Sequence, residues 1–195
     1  MLDLSAKPVL KGIIDGVLNK GVMKTAIQVP RHFPLKINQL INLPEDYMDL
    51  MNDRSLYVCP RAGATQSEGR APALCLICGT VVCSQSYCCQ VEIDGETIGA
   101  CSAHAIKCCE GTGIFLRVRE CMLLLMASKN NSCSYVPPYV DEYGEPDHGL
   151  RRGNPLHLSP ERYEELHKMW ISHDLPAEVT RRLESNNNLL NFPNI

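Results

Sequence analysis

The sequence has few aromatic residues and little excess charge. Aromatic residues make up 6% of its 195 residues, with a single tryptophan, and the formal net charge is −3. A chain that binds nucleic acid usually carries a clustered basic patch or stripe, and this sequence has none. The sequence therefore predicts no nucleic-acid partner.

Long hydrophobic runs are also missing. The longest apolar stretch, near CMLLLMAS at 121–128, is far too short to cross a bilayer. Charged residues interrupt the apolar positions of MLDLSAKPVLKGIIDG at 1–16, so this segment has no signal-peptide core. We therefore expect no membrane partner and no export, and predict a cytoplasmic protein, with the nucleus as an alternative.

Familiar catalytic motifs are absent as well. The sequence contains no G-x-S-x-G, P-loop or H-E-x-x-H motif, so hydrolase and nucleotide-binding functions have no support. A thiol nucleophile activated by histidine could be sought in Cys101 and His104. Neither residue belongs to a recognisable hydrolase motif. The sequence predicts no catalytic residue and no residue that binds an organic cofactor.

Cysteine, in contrast, is abundant. The chain has eleven cysteines, and all but Cys59 lie between Cys75 and Cys133. An odd number suits disulfide pairing poorly, and thiols stay reduced in the predicted compartment. Closely spaced cysteines then indicate a metal site rather than a disulfide framework.

Two pairs of metal-ligating residues predict one zinc site. Cys75 and Cys78 form a C-x2-C pair, and Cys101 and His104 form a C-x2-H pair after 22 intervening residues. Three thiolates and one imidazole make up a tetrahedral set that structural Zn²⁺ prefers. We predict that these four residues bind zinc.

The residues around these pairs predict a zinc module at about 74–112. Gly79 suits a tight turn after the first pair, and Asp94-Gly95 suits a two-residue hairpin turn. Three residues apart, Cys101 and His104 share a face on the first turn of a helix. The predicted fold class is α+β: a small zinc-bound treble-clef or degenerate RING-like β-hairpin module, packed with short flanking helices and a C-terminal helical pair.

The remaining cysteines leave two interpretations open. Some could bind a second zinc, or they could be small buried side chains, as free cysteine often is. The candidate ligands near the first site are Cys83, Cys88 or Cys89, and Cys108 or Cys109. The isolated cysteines, for which a core position is favoured, are Cys59, Cys121 and Cys133.

Outside the zinc module the sequence predicts short helices, strands and loops. KINQLINL at 36–43 and PEDYMDLMNDRS at 44–55 are predicted to be short helices, the second beginning at Pro44. IFLRVRE and CMLLLMA at 114–127 favour a strand pair or one bent strand. Residues 59–73 and 128–155 are predicted to be loops.

The C-terminal part is predicted to be helical. Ser159-Pro160-Glu161 provides a hydroxyl N-cap, a proline at the first helical position and an acid in the first turn. One face of this helix should pack on the body of the domain, with Tyr139 or Tyr143 beneath Trp170. The residues of that face are Tyr163, Leu166, Met169 and Trp170. A second helix is expected from near residue 174 to 185–188.

The cysteine pattern also resembles the opening of a RING finger. The residues that carry this resemblance are Cys75, Cys78, Cys101, His104 and Cys108, with apolar Leu76 and Ile77 inside the first pair. A RING would continue with further C-x2-C pairs that complete two interleaved zinc sites. The next cysteine after Cys109 is Cys121, so the sequence does not complete that order.

A longer resemblance covers residues 35–195. Several segments occur in the order LPEDYMDLMN, CP, ALCLICG, CSQSYCCQ, GACSAH, GIFLRVREC, PPYVDEYGE and GLRRGNPLHLSPERYEELHKMW. With these segments the chain resembles the C-terminal region of the UBR family, the large N-recognin ubiquitin ligases of the N-degron pathway. Residues 1–34 match less recognisably, and we treat them as a separate helical segment preceding a cap domain at 35–195.

The resemblance implies a zinc-containing cap that packs on the rest of the ligase and is associated with autoinhibition. The four predicted ligands (Cys75, Cys78, Cys101 and His104) correspond to metal-type positions of the family, whereas Cys109 stands where glycine is expected. The substrate-binding UBR box and the complete RING of the family lie upstream and are absent here. The implied partners are those upstream modules and, indirectly, a ubiquitin-conjugating enzyme and degron substrates.

Two functional classes therefore remain. The chain could be part of a RING-type ligase, which positions a ubiquitin-loaded conjugating enzyme and uses no nucleophile of its own. It could instead be a stand-alone zinc-binding interaction module without ligase activity. Both classes predict zinc as the cofactor.

Overall fold

The computed structural model describes residues 39–59, 71–84, 89–93 and 95–190, with side chains described through residue 185. These residues belong to one unit, Asn38–Ile195, and the predicted helical segment at 1–34 lies outside them. The helices are α1 (Tyr47–Asn52), α2 (Ala100–Cys109), α3 (Pro160–Ile171) and α4 (Leu175–Leu190), with 3-10 turns at Arg54–Tyr57 and Val118–Glu120. The strands are β1 (Ala71–Cys75), β2 (Val81–Ser84), β3 (Val91–Ile93), β4 (Glu96–Ile98), β5 (Gly113–Arg117), β6 (Met122–Met126), β7 (Ser132–Tyr135), β8 (Tyr139–Val140) and β9 (His157–Leu158). The predicted α+β class is confirmed.

Five antiparallel strands form the central sheet, in the order β2-β1-β5-β6-β7. The predicted strand pair at 114–127 is confirmed as β5 and β6, in which Phe115 lies opposite Leu124. The two strands are joined by the 3-10 turn Val118–Glu120 and by Cys121, whose φ is +43°. A separate two-stranded hairpin, β3-β4, precedes α2.

Alternating residues of the central strands contribute to two different cores, because successive side chains point to opposite faces of a sheet. In β5, Ile114 and Leu116 join the larger core, whereas Phe115 between them joins a smaller one. In β1 the same alternation places Leu74 in the larger core and Cys75 in the smaller one. The first predicted zinc ligand therefore lies on the face that the smaller core covers.

Different helices cover the two faces. The larger core receives side chains from α1, α3 and α4, and α2 packs on the smaller core through Cys101 and Ala105. Each large apolar side chain that is fully buried contributes about 1.5–3 kcal/mol to folding. The residues that the helices bury in the larger core are Tyr47, Leu50, Leu166, Leu175 and Val179.

The first described segment, 39–45, forms no helix, although the sequence predicted helices over 36–43 and from Pro44. The N–H of Ile41 donates to the carbonyl of Leu76 at 2.8 Å, so the described part of the predicted helix at 36–43 pairs with another segment. Helix α1 begins later than predicted, after Asp46, whose side chain accepts the N–H of Met48 at 2.9 Å. Pro44 lies outside α1. Tertiary hydrogen bonds here outweigh local helix signals.

The predicted loop at 128–155 contains strands β7 and β8, and the end of the predicted loop at 59–73 belongs to β1. Tyr139 of β8 is fully buried, and its hydroxyl donates to the carbonyl of Pro44 at 2.8 Å. Farther along this segment, the buried carboxylate of Asp147 accepts the N–H groups of Arg151, Arg152 and Gly153 at 2.8–3.1 Å. The segment 128–155 is polar in sequence, and it is ordered by cross-strand pairing and by the hydrogen bonds to the carboxylate of Asp147.

The predicted start of the C-terminal helix is confirmed. Ser159 is the N-cap of α3, and its hydroxyl accepts the N–H of Arg162 at 3.3 Å. The predicted face is confirmed as well, with Leu166 buried in the larger core and the other three residues partly buried against it. The expectation that Tyr143 lies beneath Trp170 is wrong, because Tyr143 is 75% exposed. Helix α4 begins at the predicted position and continues to Leu190.

Among the described helices, none is long and apolar enough to cross a membrane.

Candidate metal centre

A tight turn between β1 and β2 presents the first cysteine pair. The N–H of Gly79 donates to the carbonyl of Cys75, and the N–H of Cys75 donates to the carbonyl of Thr80, both at 2.9 Å. Gly79 has a φ of +78°, which glycine adopts without a steric cost. Cys75 is buried at the end of β1, and Cys78 is exposed at the turn.

Helix α2 presents the remaining ligands to this turn. It begins after Gly99 and ends at Glu110, which adopts a left-handed conformation. The helix lies close to β5 because Gly113 has no side chain; a Cβ there would lie 2.7 Å from the ring of Phe115 and 3.4 Å from the Cβ of Ala105. The ring of His104 packs edge-on against Phe115, with ring centroids 5.9 Å apart. These contacts orient the imidazole.

Four side chains converge between the turn and the helix. They are Cys75, Cys78, His104 and Cys108, and their ligand atoms all lie within 4.8 Å of one another. Sγ of Cys78 is 3.2 Å from Nε2 of His104. Three thiols and one imidazole form a donor set that suits tetrahedral zinc.

Cys108 takes the place that the sequence analysis gave to Cys101. The group contains three of the four predicted ligands, and Cys101 is not in it. His104 and Cys108 are four residues apart, which places them on one helix face, whereas Cys101 and Cys108 are separated by about 10 Å along the axis. The turn lies beside the second half of α2. Cys101, at the start of α2, is buried and interacts with Ser84 of β2.

The surroundings of the group set the protonation of its members. Burial raises the pKa of Cys75 and of Cys108 to about 12. Burial, together with the charge of Lys107, lowers the pKa of His104, so the imidazole is neutral at pH 7, as a metal ligand must be. Burial also raises the pKa of Cys78, but hydrogen bonds with Thr80 outweigh it and leave this pKa below its usual value. A cation would stabilise the thiolate forms of the buried cysteines.

A second group of cysteines lies apart from the first. It contains Cys59, Cys83 and Cys89, all buried. The sequence analysis included Cys83 and Cys89 among candidates for a second site but favoured a core position for Cys59. Cys88 lies outside the described residues. Nothing in the sequence near Cys59 indicated its partners, because they lie 24 and 30 residues later.

Other prominent residues have structural contacts. Cys121 and Cys133 are buried in the larger core, as expected. Sγ of Cys109 lies 3.5 Å from Sγ of Cys108, and Cys109 does not belong to the candidate group. Arg152 pairs with Glu145 and lies 3.5 Å from Asp141.

The chain is similar to known proteins along much of its length. Residues 5–172 match the family described as Proteolysis_6 C-terminal, a match that begins within the weakly resembling segment 1–34. E3 ubiquitin-protein ligase UBR2 of Homo sapiens is 47% identical over 185 residues, which are 93% of this chain and 10% of that protein. E3 ubiquitin-protein ligase UBR1 of Mus musculus is 49% identical over 160 residues, 82% of this chain and 9% of that protein. The chain spans about a tenth of the length of these relatives.

Proposed function

This chain belongs to the C-terminal region of the UBR family of N-recognin ubiquitin ligases, and from that membership we propose that it is the zinc-stabilised cap of such a ligase. The cap would restrain or arrange the ligase in ubiquitin-dependent protein degradation, in the cytoplasm or, alternatively, in the nucleus. Its partners would be the upstream RING and substrate-binding modules of the ligase and, through them, a conjugating enzyme and degron substrates.

The observation that carries this proposal is the convergence of Cys75, Cys78, His104 and Cys108. The donor set fits structural zinc, because four protein ligands leave no open position for a substrate. Bound zinc would supply a cross-link between the β1–β2 turn and helix α2. The order of turn, hairpin and ligand-bearing helix supports the treble-clef interpretation of this module.

The contacts of the first pair support a structural role rather than a ligase platform. Leu76 is fully buried in the larger core, and its N–H donates to the carbonyl of Ile114 at 2.9 Å. A side chain in this position cannot contact a conjugating enzyme unless the core opens. Within this proposal, the upstream modules of the ligase assemble ubiquitin chains on substrates.

Metal analysis of the purified chain tests the zinc site. His104→Ala should lower the zinc content by one atom per chain and lower the melting temperature, because metal binding to such a site contributes directly to folding. His148→Ala, at an exposed position, is the matched control and should retain all zinc. An unchanged zinc content in His104→Ala would refute the site.

The cap role is tested by adding the chain to a UBR ligase that lacks its own C-terminal region. We expect the purified chain to bind that ligase and to change its rate of ubiquitin-chain formation. The His104→Ala variant should bind more weakly than the His148→Ala variant. No binding by the zinc-loaded chain would refute the cap role and leave the metal site standing.

A further inference from the structure

We propose that Cys59, Cys83 and Cys89 bind a second zinc ion whose ligands interleave along the chain with those of the first site. The three sulfur atoms form a nearly equilateral triangle. Sγ of Cys59 lies 3.4 Å from Sγ of Cys89 and 3.6 Å from Sγ of Cys83, and the Cys83 and Cys89 sulfur atoms are 3.4 Å apart.

These spacings fit a metal better than covalent pairing among the three residues. With zinc–sulfur bonds of about 2.3 Å, two ligands of a tetrahedral zinc ion lie about 3.8 Å apart. A disulfide brings two sulfur atoms to about 2.05 Å and can join two of three cysteines. Three mutually close sulfur atoms at 3.4–3.6 Å correspond to one face of a tetrahedron.

The three cysteines are buried apart from the two apolar cores. The three cysteines are 5%, 1% and 7% exposed, yet they form a cluster separate from both apolar cores. Among the described residues, Ala100 is the partly buried apolar residue that packs on this cluster. A buried cluster of three thiols supplies the soft ligands that Zn²⁺ binds in structural sites.

The three ligands come from separate segments. Cys59 follows the 3-10 turn Arg54–Tyr57, Cys83 lies in β2, and Cys89 lies just before β3. A metal here would fix the chain entering the sheet to the second strand and to the hairpin that leads into α2. Ala100 of α2 contacts this cluster, so the second ion would lie near the start of α2.

The two candidate sites alternate along the sequence. Cys59 belongs to the second site, Cys75 and Cys78 to the first, Cys83 and Cys89 to the second, and His104 and Cys108 to the first. An ordinary RING was disfavoured from the sequence because no C-x2-C pair follows Cys108, whereas the structure places the additional candidate ligand upstream, at Cys59. The first zinc would attach the second half of α2 to the β1–β2 turn, and the second would lie near the start of α2.

Zinc content measured by mass spectrometry, on chain purified with its native metal, tests this proposal. We expect two zinc atoms per chain, one in Cys59→Ala, one in His104→Ala, and none in the double variant. Cys133→Ala, which removes a buried thiol of the larger core, is the matched control and should retain two. A wild-type content of one atom, lost in His104→Ala and retained in Cys59→Ala, would refute the second site and leave the first intact.

Cobalt substitution gives a second measurement if a variant folds poorly. The thiolate-to-cobalt absorption of the wild type should fall by about half in Cys59→Ala, because each site contributes three described thiolates. Cys59 lies outside the strands, so its replacement leaves the sheet hydrogen bonds unchanged. Identical cobalt spectra for Cys59→Ala and Cys133→Ala would refute the second site.

Discussion

The ring of Tyr139 packs edge-on against the ring of Tyr47, with their centroids 4.7 Å apart. The contact joins β8 to α1, two elements separated by the whole zinc module in sequence. Both rings are fully buried, and both hydroxyls donate to backbone carbonyls, that of Tyr47 to Val118 and that of Tyr139 to Pro44. This pair therefore joins the first described segment to β8 and to the 3-10 turn Val118–Glu120.

Replacement of Tyr139 should reveal the energy of this contact. Tyr139→Ala should lower the free energy of unfolding by about 3–5 kcal/mol, as for other large buried aromatic side chains. Tyr139→Phe keeps the ring but removes the hydroxyl, so it should lower the free energy of unfolding by about 0.5–1.5 kcal/mol through the lost hydrogen bond. Urea denaturation in excess zinc measures both values. Tyr143→Ala, at an exposed position, is the control, and an equal loss there would contradict the assignment.

Trp170 should report on how α3 packs against the domain. Trp170 is partly buried against the larger core. Trp170→Ala should therefore lower the free energy of unfolding by about 2 kcal/mol, which is less than the loss for a fully buried ring. The melting temperature of the whole domain should fall, since α3 does not form a core of its own. Ile171→Ala, at a neighbouring position that is 50% exposed, should change it little. A solvent-like tryptophan emission maximum in the native chain would contradict this packing.

The carboxylate of Asp147 should stabilise the segment between β8 and β9. Its hydrogen bonds from three backbone N–H groups are made to a charged acceptor, and such bonds are worth about 1.5–3 kcal/mol each when lost. Asp147→Asn keeps the shape of the side chain but removes the charge, so we expect a loss of about 1–3 kcal/mol in the free energy of unfolding. Glu142→Gln changes an exposed residue of the same segment and should leave the free energy of unfolding unchanged. Urea denaturation measures both variants.

Zinc binding to the first site should become stronger as the pH rises. Burial raises the pKa of Cys75 and Cys108 to about 12, so both thiols are protonated at neutral pH and must lose their protons when zinc binds. Each released proton lowers the apparent Kd about tenfold for each pH unit, so the loss of at least these two predicts a fall of about a hundredfold or more for each pH unit between 6 and 8. Chelator competition on Cys59→Ala isolates the first site. A Kd independent of pH would contradict this account.

The chain by itself should not build ubiquitin chains. Leu76, inside the first cysteine pair, is fully buried in the larger core and is not available to contact a conjugating enzyme. Incubation with activating enzyme, conjugating enzyme and ubiquitin should therefore yield no chains on a gel. Chain formation that Ile77→Ala abolishes, while Ile171→Ala leaves it unchanged, would show instead that the module works as a RING.

Short-range signals in the sequence predicted much of the local structure. The turn at Gly79, the strands on either side of Glu120 and the start of α3 at Ser159 each depend on residues within a few positions of one another. Three members of the candidate group were predicted for the same reason, because C-x2-C and the position of His104 are visible locally. The partner of His104 was missed because the i+4 spacing to Cys108 and the i−3 spacing to Cys101 are both compatible with a helix.

The sequence by itself determined the kind of ligand, thiol and imidazole, and the local elements that carry each one. Tertiary structure decided which of them meet. Helix packing brings His104 and Cys108, and not Cys101, to the β1–β2 turn, and Cys59 meets Cys83 and Cys89, which lie 24 and 30 positions later. The strands within the segment 128–155 were likewise decided by pairing, since β8 acquires its structure from β9 and from the Tyr47 ring. Contacts between distant segments depend on how whole elements pack, and no local spacing encodes them.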